Sequence, residues 1–299
     1  MQIRLLEYFV ALARHQHFGR AATACNASQP TLSAGLVALE EQLGHRLVER
    51  DRRFIGLTAE GHAVLPWAQQ IVASLDGLAA AAGSTRGPLR GTLRLGAIPA
   101  SMPATGFVAE TLKMIHPDVE LSIRSLTSRE IERALAAFDL DAGLTYIEHE
   151  PLAHVIAVPL YGERPTFVVA RDYPVPPDPT ISWAEALNHN LCLLNKEMQN
   201  RRILDEWLDR HGLVARNAVS ADSYVTLLAM ARTGAFAAIM PDSYLTLMPE
   251  WARMIPFDDP CDASLIGLVV AEQSPLSPMA HAALNTAKRL SLPETFGRV

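Results

Sequence analysis

The stretch Phe18–Arg50, FGRAATACNASQPTLSAGLVALEEQLGHRLVER, decides how the first part of the chain folds. Two short helical patterns meet in it. The first is alanine-rich and runs from about Gly19 to Cys25. Ser28 opens the second, because its hydroxyl can accept a backbone N–H that a helix start leaves free. Pro30 falls in the first turn, where a missing N–H costs least. Leu32, Leu36, Leu39 and Leu43 then recur at helical spacing as one apolar stripe. Asn26 suits a left-handed residue between the helices, and the small Ala21, Ala22 and Ala24 permit a close crossing. This is the layout of a helix-turn-helix, whose second helix lays its N-terminal residues against base edges in the DNA major groove.

The side chains at that end fit base and phosphate contacts. Gln29 can bond adenine in bidentate fashion, Thr31 and Ser33 can reach base or phosphate, and Pro30 can touch a thymine methyl. A capped helix start would by itself explain Ser28 to Ser33. The motifs FGRAA, SQPTLS, ALEEQLG and LVER, in this order and spacing, go further. They resemble the N-terminal domain of LysR-type transcriptional regulators. The resemblance runs from Leu5 to Gly61 and continues more weakly through the chain. It implies a dimeric or tetrameric repressor or activator on a dyad-symmetric DNA site. It also implies a C-terminal domain for a small effector, and leaves RNA polymerase open as a further partner. Ala34 departs from the pattern, since many members carry a longer, often basic residue there.

Composition sets the outer limits. At 299 residues the chain can hold more than one domain, and 49% hydrophobic with 19% charged residues describes a folded protein. No apolar run is long enough to span a bilayer. Glu7 interrupts the first apolar run, and Arg14, His15 and His17 follow without a cleavage site, so a cytoplasmic protein is expected. The net charge of −6 is unevenly spread: residues 1–61 hold seven Arg and six acids, which leaves −7 for the rest. DNA binding needs a local basic face, and Arg50, Arg52 and Arg53 cluster. Cys25, Cys192 and Cys261 are three and far apart, unlike a disulfide frame, and no spacing suggests zinc or another metal. His15 and His17 read as surface or cap residues. No nucleophile–base pattern or phosphate loop points to an enzyme, and no cofactor is expected.

Working outward, Leu5, Phe9 and Leu12 form the stripe of a supporting first helix, with Phe18 as a plug between helices. DRRFIGLT reads as the two-stranded wing of a winged helix, with Arg52 and Arg53 at its tip and suited to a narrow minor groove. Arg50 has two readings, a phosphate contact or a pairing with Glu40, Glu41 or Glu49. Thr58 caps a long helix in which Val64, Ala68, Ile71, Leu75, Leu78 and Ala82 form a heptad-type seam for a partner helix; Pro66 falls early in it. GSTRGPLRG, residues 83–91, is a linker. The expected division is a DNA-binding domain at 1–58, a linker and dimerisation helix at 59–91, and an effector domain at 92–299.

Within that last domain TLRLGAI, VELSIRSL and LDAGLTYI are strands separated by helices, which predicts a parallel α/β sheet. A second block of the same kind starts near Leu160, and the segment from Ile266 returns to the first. The fold class is thus α/β, with an all-α winged helix-turn-helix at the N-terminus, a linker helix, and a two-lobed effector domain like periplasmic solute-binding proteins. The lobes are expected at about 92–159 with 267–299, and about 160–266. Ligands in such sheets bind beyond strand carboxyl ends, beside helix N-termini. The loops so placed offer Ala100, Ser101, Met102, Thr127, Ser128, Tyr146, Gln199, Asn200, Arg201 and Ser223. Their polarity suits a small anion, a carboxylate being the simplest, with Arg201 adding a charge. Ser128, Asn200 and Ser223 could instead be plain helix caps. An oxidant-sensing regulator acting through Met102, Met198 or a cysteine is the alternative within the class; a solute-binding protein or an enzyme is the alternative outside it.

Overall fold

A computed structural model describes residues 2–51, 53–84, 88–215 and 217–297. The chain divides into two units, one built on Met1–Pro88 with Ala136–Asp139 and the other on Leu89–Leu135 and Leu140–Val299.

The first unit packs α1 (Ile3–His15), α2 (Phe18–Ala24) and α3 (Gln29–Leu43) around Leu5, Phe9, Leu12, Leu32, Leu36 and Leu39, all buried. Leu43 and Phe18 are only partly covered at the margin of that cluster. Local chemistry sets each boundary. Gln16 (φ 50°) and Asn26 (φ 50°) take left-handed turns, and the His17 ring caps α2 by accepting from Gly19 N and Arg20 N. Ser28 caps α3 by accepting from Thr31 N at 3.2 Å, and Gly44 ends it in the left-handed region.

The strands β1 (Val48–Asp51) and β2 (Arg53–Leu57) then pair antiparallel as the expected wing; Arg52 lies outside the described residues. Thr58 ties the wing to α4 (Ala59–Ser84): its hydroxyl donates to Arg46 O at 2.6 Å and accepts from Gly61 N at 2.9 Å. A Cβ on Gly61 would sit 2.1 Å from Leu47 O, so only glycine allows the helix this close to the strand. In the proposed seam Val64 and Ala68 turn inward to the unit's own core. Trp67, Ile71 and Leu78 are 69%, 39% and 67% exposed; the Ala82 side chain lies outside the described residues.

The second unit contains two five-stranded sheets, one per lobe. The first has the order β4-β3-β5-β12-β6, from β3 (Gly91–Ala97), β4 (Val119–Ser125), β5 (Ala142–Tyr146), β6 (Val155–Glu163) and β12 (Ser264–Ala271). The second has the order β11-β7-β10-β8-β9, from β7 (Pro165–Ala170), β8 (Leu191–Leu194), β9 (Asn217–Ala221), β10 (Ala237–Pro241) and β11 (Ala252–Pro256). The helices are α5 (Thr105–Ile115), α6 (Ser128–Ala136), α7 (Trp183–Ala186), α8 (Gln199–Arg210), α9 (Tyr224–Arg232) and α10 (Pro278–Arg289). Short 3-10 turns at Pro99–Ala104 and Asp242–Leu247 follow β3 and β10.

Two expectations need correction. The sheets are mixed: β3, β4 and β5 run parallel, but β12 runs antiparallel to both β5 and β6. In the second sheet β7 is antiparallel to β10 and β11. The crossings between lobes also fall later and earlier than expected, since β6 stays in the first sheet to Glu163 and β12 joins it from Ser264. Pro159 and Gly162 look like breakers in the sequence. An edge strand with a bulge opposite Ile266/Gly267 tolerates them.

Candidate nucleic-acid interface and ligand cleft

At the start of α3, Gln29, Pro30 and Thr31 are exposed and Ser33 is half-buried. Ser28 Oγ lies 2.7 Å from Thr31 Oγ1, so both hydroxyls also serve the cap. Leu32 and Leu36 anchor the opposite face of the helix, which leaves these polar side chains as its outward edge. Arg53 is exposed on the wing. Arg50 is not equally free: its guanidinium donates to Glu40 Oε2 at 2.8 Å, so the pairing reading applies. Glu40 itself is buried on α3, and its Oε1 accepts from Leu47 N at 2.9 Å and Val48 N at 3.1 Å. One carboxylate therefore joins the recognition helix to the base of the wing. Sequence reasoning saw Glu40 only as a partner for Arg50, because the two backbone donors depend on how the chain returns after Gly44.

In the second unit the loops after β3, β4 and β8 converge. Ala100, Thr127, Ser128, Tyr146, Gln199 and Asn200 line one narrow cleft between the lobes, joined by Ile98, Pro99, Leu194 and Met198. The space left between them is about 10 Å³. Ser128 Oγ donates to Gln199 Oε1 across the lobes, and Gln199 Nε2 donates to His149 O. Asn200 Nδ2 donates to the Tyr146 hydroxyl at 2.6 Å, and that hydroxyl donates to Glu163 Oε1. Tyr244 OH adds a further bond between lobes, to Pro99 O at 2.7 Å.

The two helix starts in the cleft differ. On α6, Thr127 and Glu130 form a capping box: Thr127 N donates to Glu130 Oε2 at 2.8 Å, and Glu130 N to Thr127 Oγ1 at 3.3 Å. The Thr127 backbone and hydroxyl bonds hold the Glu130 carboxyl below its ordinary range. On α8 the N-cap is Met198, which offers no side-chain acceptor, so the first-turn N–H groups are left for another partner.

Four expected residues are not brought to this cleft. The Ser101 hydroxyl is buried and turns back to Ile98 O at 3.0 Å and Leu144 O at 3.3 Å. Met102 packs against the core of the first lobe. Arg201 is buried, held by Asp205 at 2.7 Å and Leu194 O at 2.9 Å, so its charge is already matched. Ser223 caps α9 by accepting from Val225 N at 3.2 Å. Conversely, Glu163 was missed. It ends β6 where the sequence reading had already closed the first lobe. Burial raises its pKa to about 8, against the opposing bond from Tyr146, with Asp242 adding repulsion. Burial likewise raises Tyr146, Tyr161 and Tyr224 well above the ordinary phenol range. Among the described residues no group of His, Cys, Asp and Glu is placed to hold a metal. No helix among them is long and apolar enough to cross a membrane.

Comparison with known proteins agrees with this geometry. Residues 3–62 match the bacterial regulatory helix-turn-helix protein, lysR family, and residues 86–291 match the LysR substrate binding domain. The HTH-type transcriptional regulator YnfL of Escherichia coli K12 is 30% identical over 94% of this chain and 96% of its own length. The transcriptional dual regulator OxyR of the same strain is 29% identical over 92% of this chain and 91% of its own. Among solved structures, full-length OxyR from Pseudomonas aeruginosa superposes with a TM-score of 0.79 at 25% identity, covering 100% of this chain and 98% of that one. A helix-turn-helix with an exposed Gln-Pro-Thr edge, a wing tied to it, and a two-lobed ligand domain thus lie in one chain, which belongs to the LysR family of DNA-binding transcriptional regulators.

Proposed function

We propose that this regulator reads DNA through Gln29, Pro30, Thr31 and Ser33, with Arg53 supporting from the wing and Arg52, its neighbour in sequence, adding charge, and that a small carboxylate in the interlobe cleft sets its DNA occupancy. The observation that carries the effector half is the uncapped start of α8 facing Ser128 across the cleft. Backbone N–H groups at a helix start attract an anion without a formal positive charge. A ligand of more than a few atoms must displace the Ser128–Gln199 bond, and its oxygens then take over both partners. That exchange is what gives a ligand different affinities for two interlobe arrangements, and only such a difference can shift their balance.

Ser128→Ala and Asn200→Ala should each weaken the effector response while leaving effector-free DNA binding near wild type. The assay is a footprint on the preferred site with and without short-chain mono- and dicarboxylates. A full response in both variants places the pocket elsewhere, and loss of all DNA binding assigns both residues a structural role.

Several relatives are named hydrogen peroxide-inducible genes activators, which favours oxidant sensing as a second reading. That reading rests on Met198 of the cleft, or on Met102, more than on the two buried thiols. Burial raises Cys192 to about 11 and Cys261 to about 12, so little reactive thiolate exists at neutral pH.

A further inference from the structure

Most hydrogens of the cleft's polar side chains are already committed. Thr127 Oγ1 donates to Glu130 Oε2 at 2.8 Å, and the Tyr146 hydroxyl donates to Glu163 Oε1. Asn200 Nδ2 gives its two N–H groups to that hydroxyl at 2.6 Å and to Glu163 Oε1 at 3.3 Å. Ser128 Oγ donates to Gln199 Oε1. Gln199 is buried, and its Nε2 donates to His149 O. That bond fixes the amide, because a flipped Gln199 would set its oxygen against a carbonyl oxygen. Toward the cleft Ser128 is therefore a donor and Gln199 Oε1 an acceptor. A ligand that parts them must accept from the first and donate to the second. A plain carboxylate has no hydrogen to give, and it would leave the buried Gln199 oxygen unpaired. The ligand's acceptor and donor must also be neighbours, since the two protein atoms they replace are bonded to each other. No acidic side chain lines the cleft among the described residues. An ammonium donor would thus enter a narrow space without a counter-charge, whereas a hydroxyl enters as a neutral group.

We propose that the interlobe cleft selects a 2-hydroxycarboxylate, with Gln199 as the residue that reads the hydroxyl. Ser128 O–H and the N–H groups at the start of α8 hold the carboxylate, and Gln199 Oε1 accepts from the ligand's O–H. A deoxy analogue is penalised because it leaves that buried acceptor unpaired. This inference rests on the carboxylate reading of the cleft and narrows it.

Lactate, propionate and alanine, of equal carbon number, are the probes. Titrated into the full-length chain by calorimetry, one enantiomer of lactate should bind at least about fivefold more tightly than propionate or L-alanine. Gln199→Met removes the acceptor at similar size and should bring the lactate-to-propionate affinity ratio within about twofold of one. Ser128→Ala should weaken both acids. The wild-type ratio tests the proposal even where the methionine variant fails to fold. Propionate or alanine binding as tightly as both lactates would overturn it, and so would a folded Gln199→Met chain that keeps the wild-type ratio. If Ser128→Ala still weakens both acids in those cases, the carboxylate reading survives and only the hydroxyl selection falls. Lactate and propionate that both fail to bind would overturn the two together.

Discussion

Replacing Glu40 by alanine should detach the wing from the recognition helix. The carboxylate accepts from two backbone N–H groups, those of Leu47 and Val48, whose residues are buried, and from Arg50. Each buried donor left without an acceptor costs about 1–3 kcal/mol. The pair with Arg50 is partly exposed and adds about 0–1 kcal/mol. Water entering the space left by the side chain recovers part of this, which leaves a loss of about 2–4 kcal/mol in the local stability of the wing. Hydrogen exchange of the Leu47 and Val48 amides reads that quantity directly. At a factor of ten per 1.4 kcal/mol, their protection should fall about 30- to 700-fold. Glu40→Gln keeps the carbonyl acceptor and should lose far less. Amide protection within twofold of wild type in Glu40→Ala would refute the reasoning.

Three further outcomes are expected. Gln29→Ala should cost about 1–3 kcal/mol on the preferred site and relax one base position; an unchanged binding titration and base preference would remove Gln29 from the interface. Ile71→Glu combined with Leu75→Glu puts charges into the seam of α4 and should separate the chains, which sedimentation would show; a wild-type oligomer would disprove that seam. Glu163 keeps its proton in the folded chain up to about 8, whereas the unfolded chain releases it near 4.5. Folded stability should therefore fall between those two values, by up to about 1.4 kcal/mol per pH unit, and level off above them. Glu163→Gln should flatten that slope in thermal melts at pH 5, 6.5 and 8, and an identical slope would show that another group titrates.

What the sequence made legible was local. Ser28, Pro30, Asn26 and Gly44 act within a few residues of their own backbone, so the recognition helix and its turn could be read from spacing alone. The strand ends that build the cleft were legible for a related reason, because helix starts follow strands in order. What stayed hidden depended on returns of the chain from far away. Ser101 is at a strand end, yet its hydroxyl bonds back to Leu144, 43 residues on. Arg201 looked like a ligand charge, although Asp205 one turn later was the available partner. Glu163 needed the antiparallel return of β12 before its strand could be assigned at all.

The lock between Gly61 and Leu47 makes α4 a lever. Its first turn is pressed onto Leu47, just before the wing strand, and pinned to Arg46 by Thr58, so the base of the wing should move with it. The helix has 26 residues, and at 1.5 Å per residue it is about 39 Å long. A tilt of only about 5° along such an arm moves the far end by about 3 Å, close to one base-pair step. If the recognition helix docks on DNA as proposed, small angular changes along α4 should shift it by distances of that order.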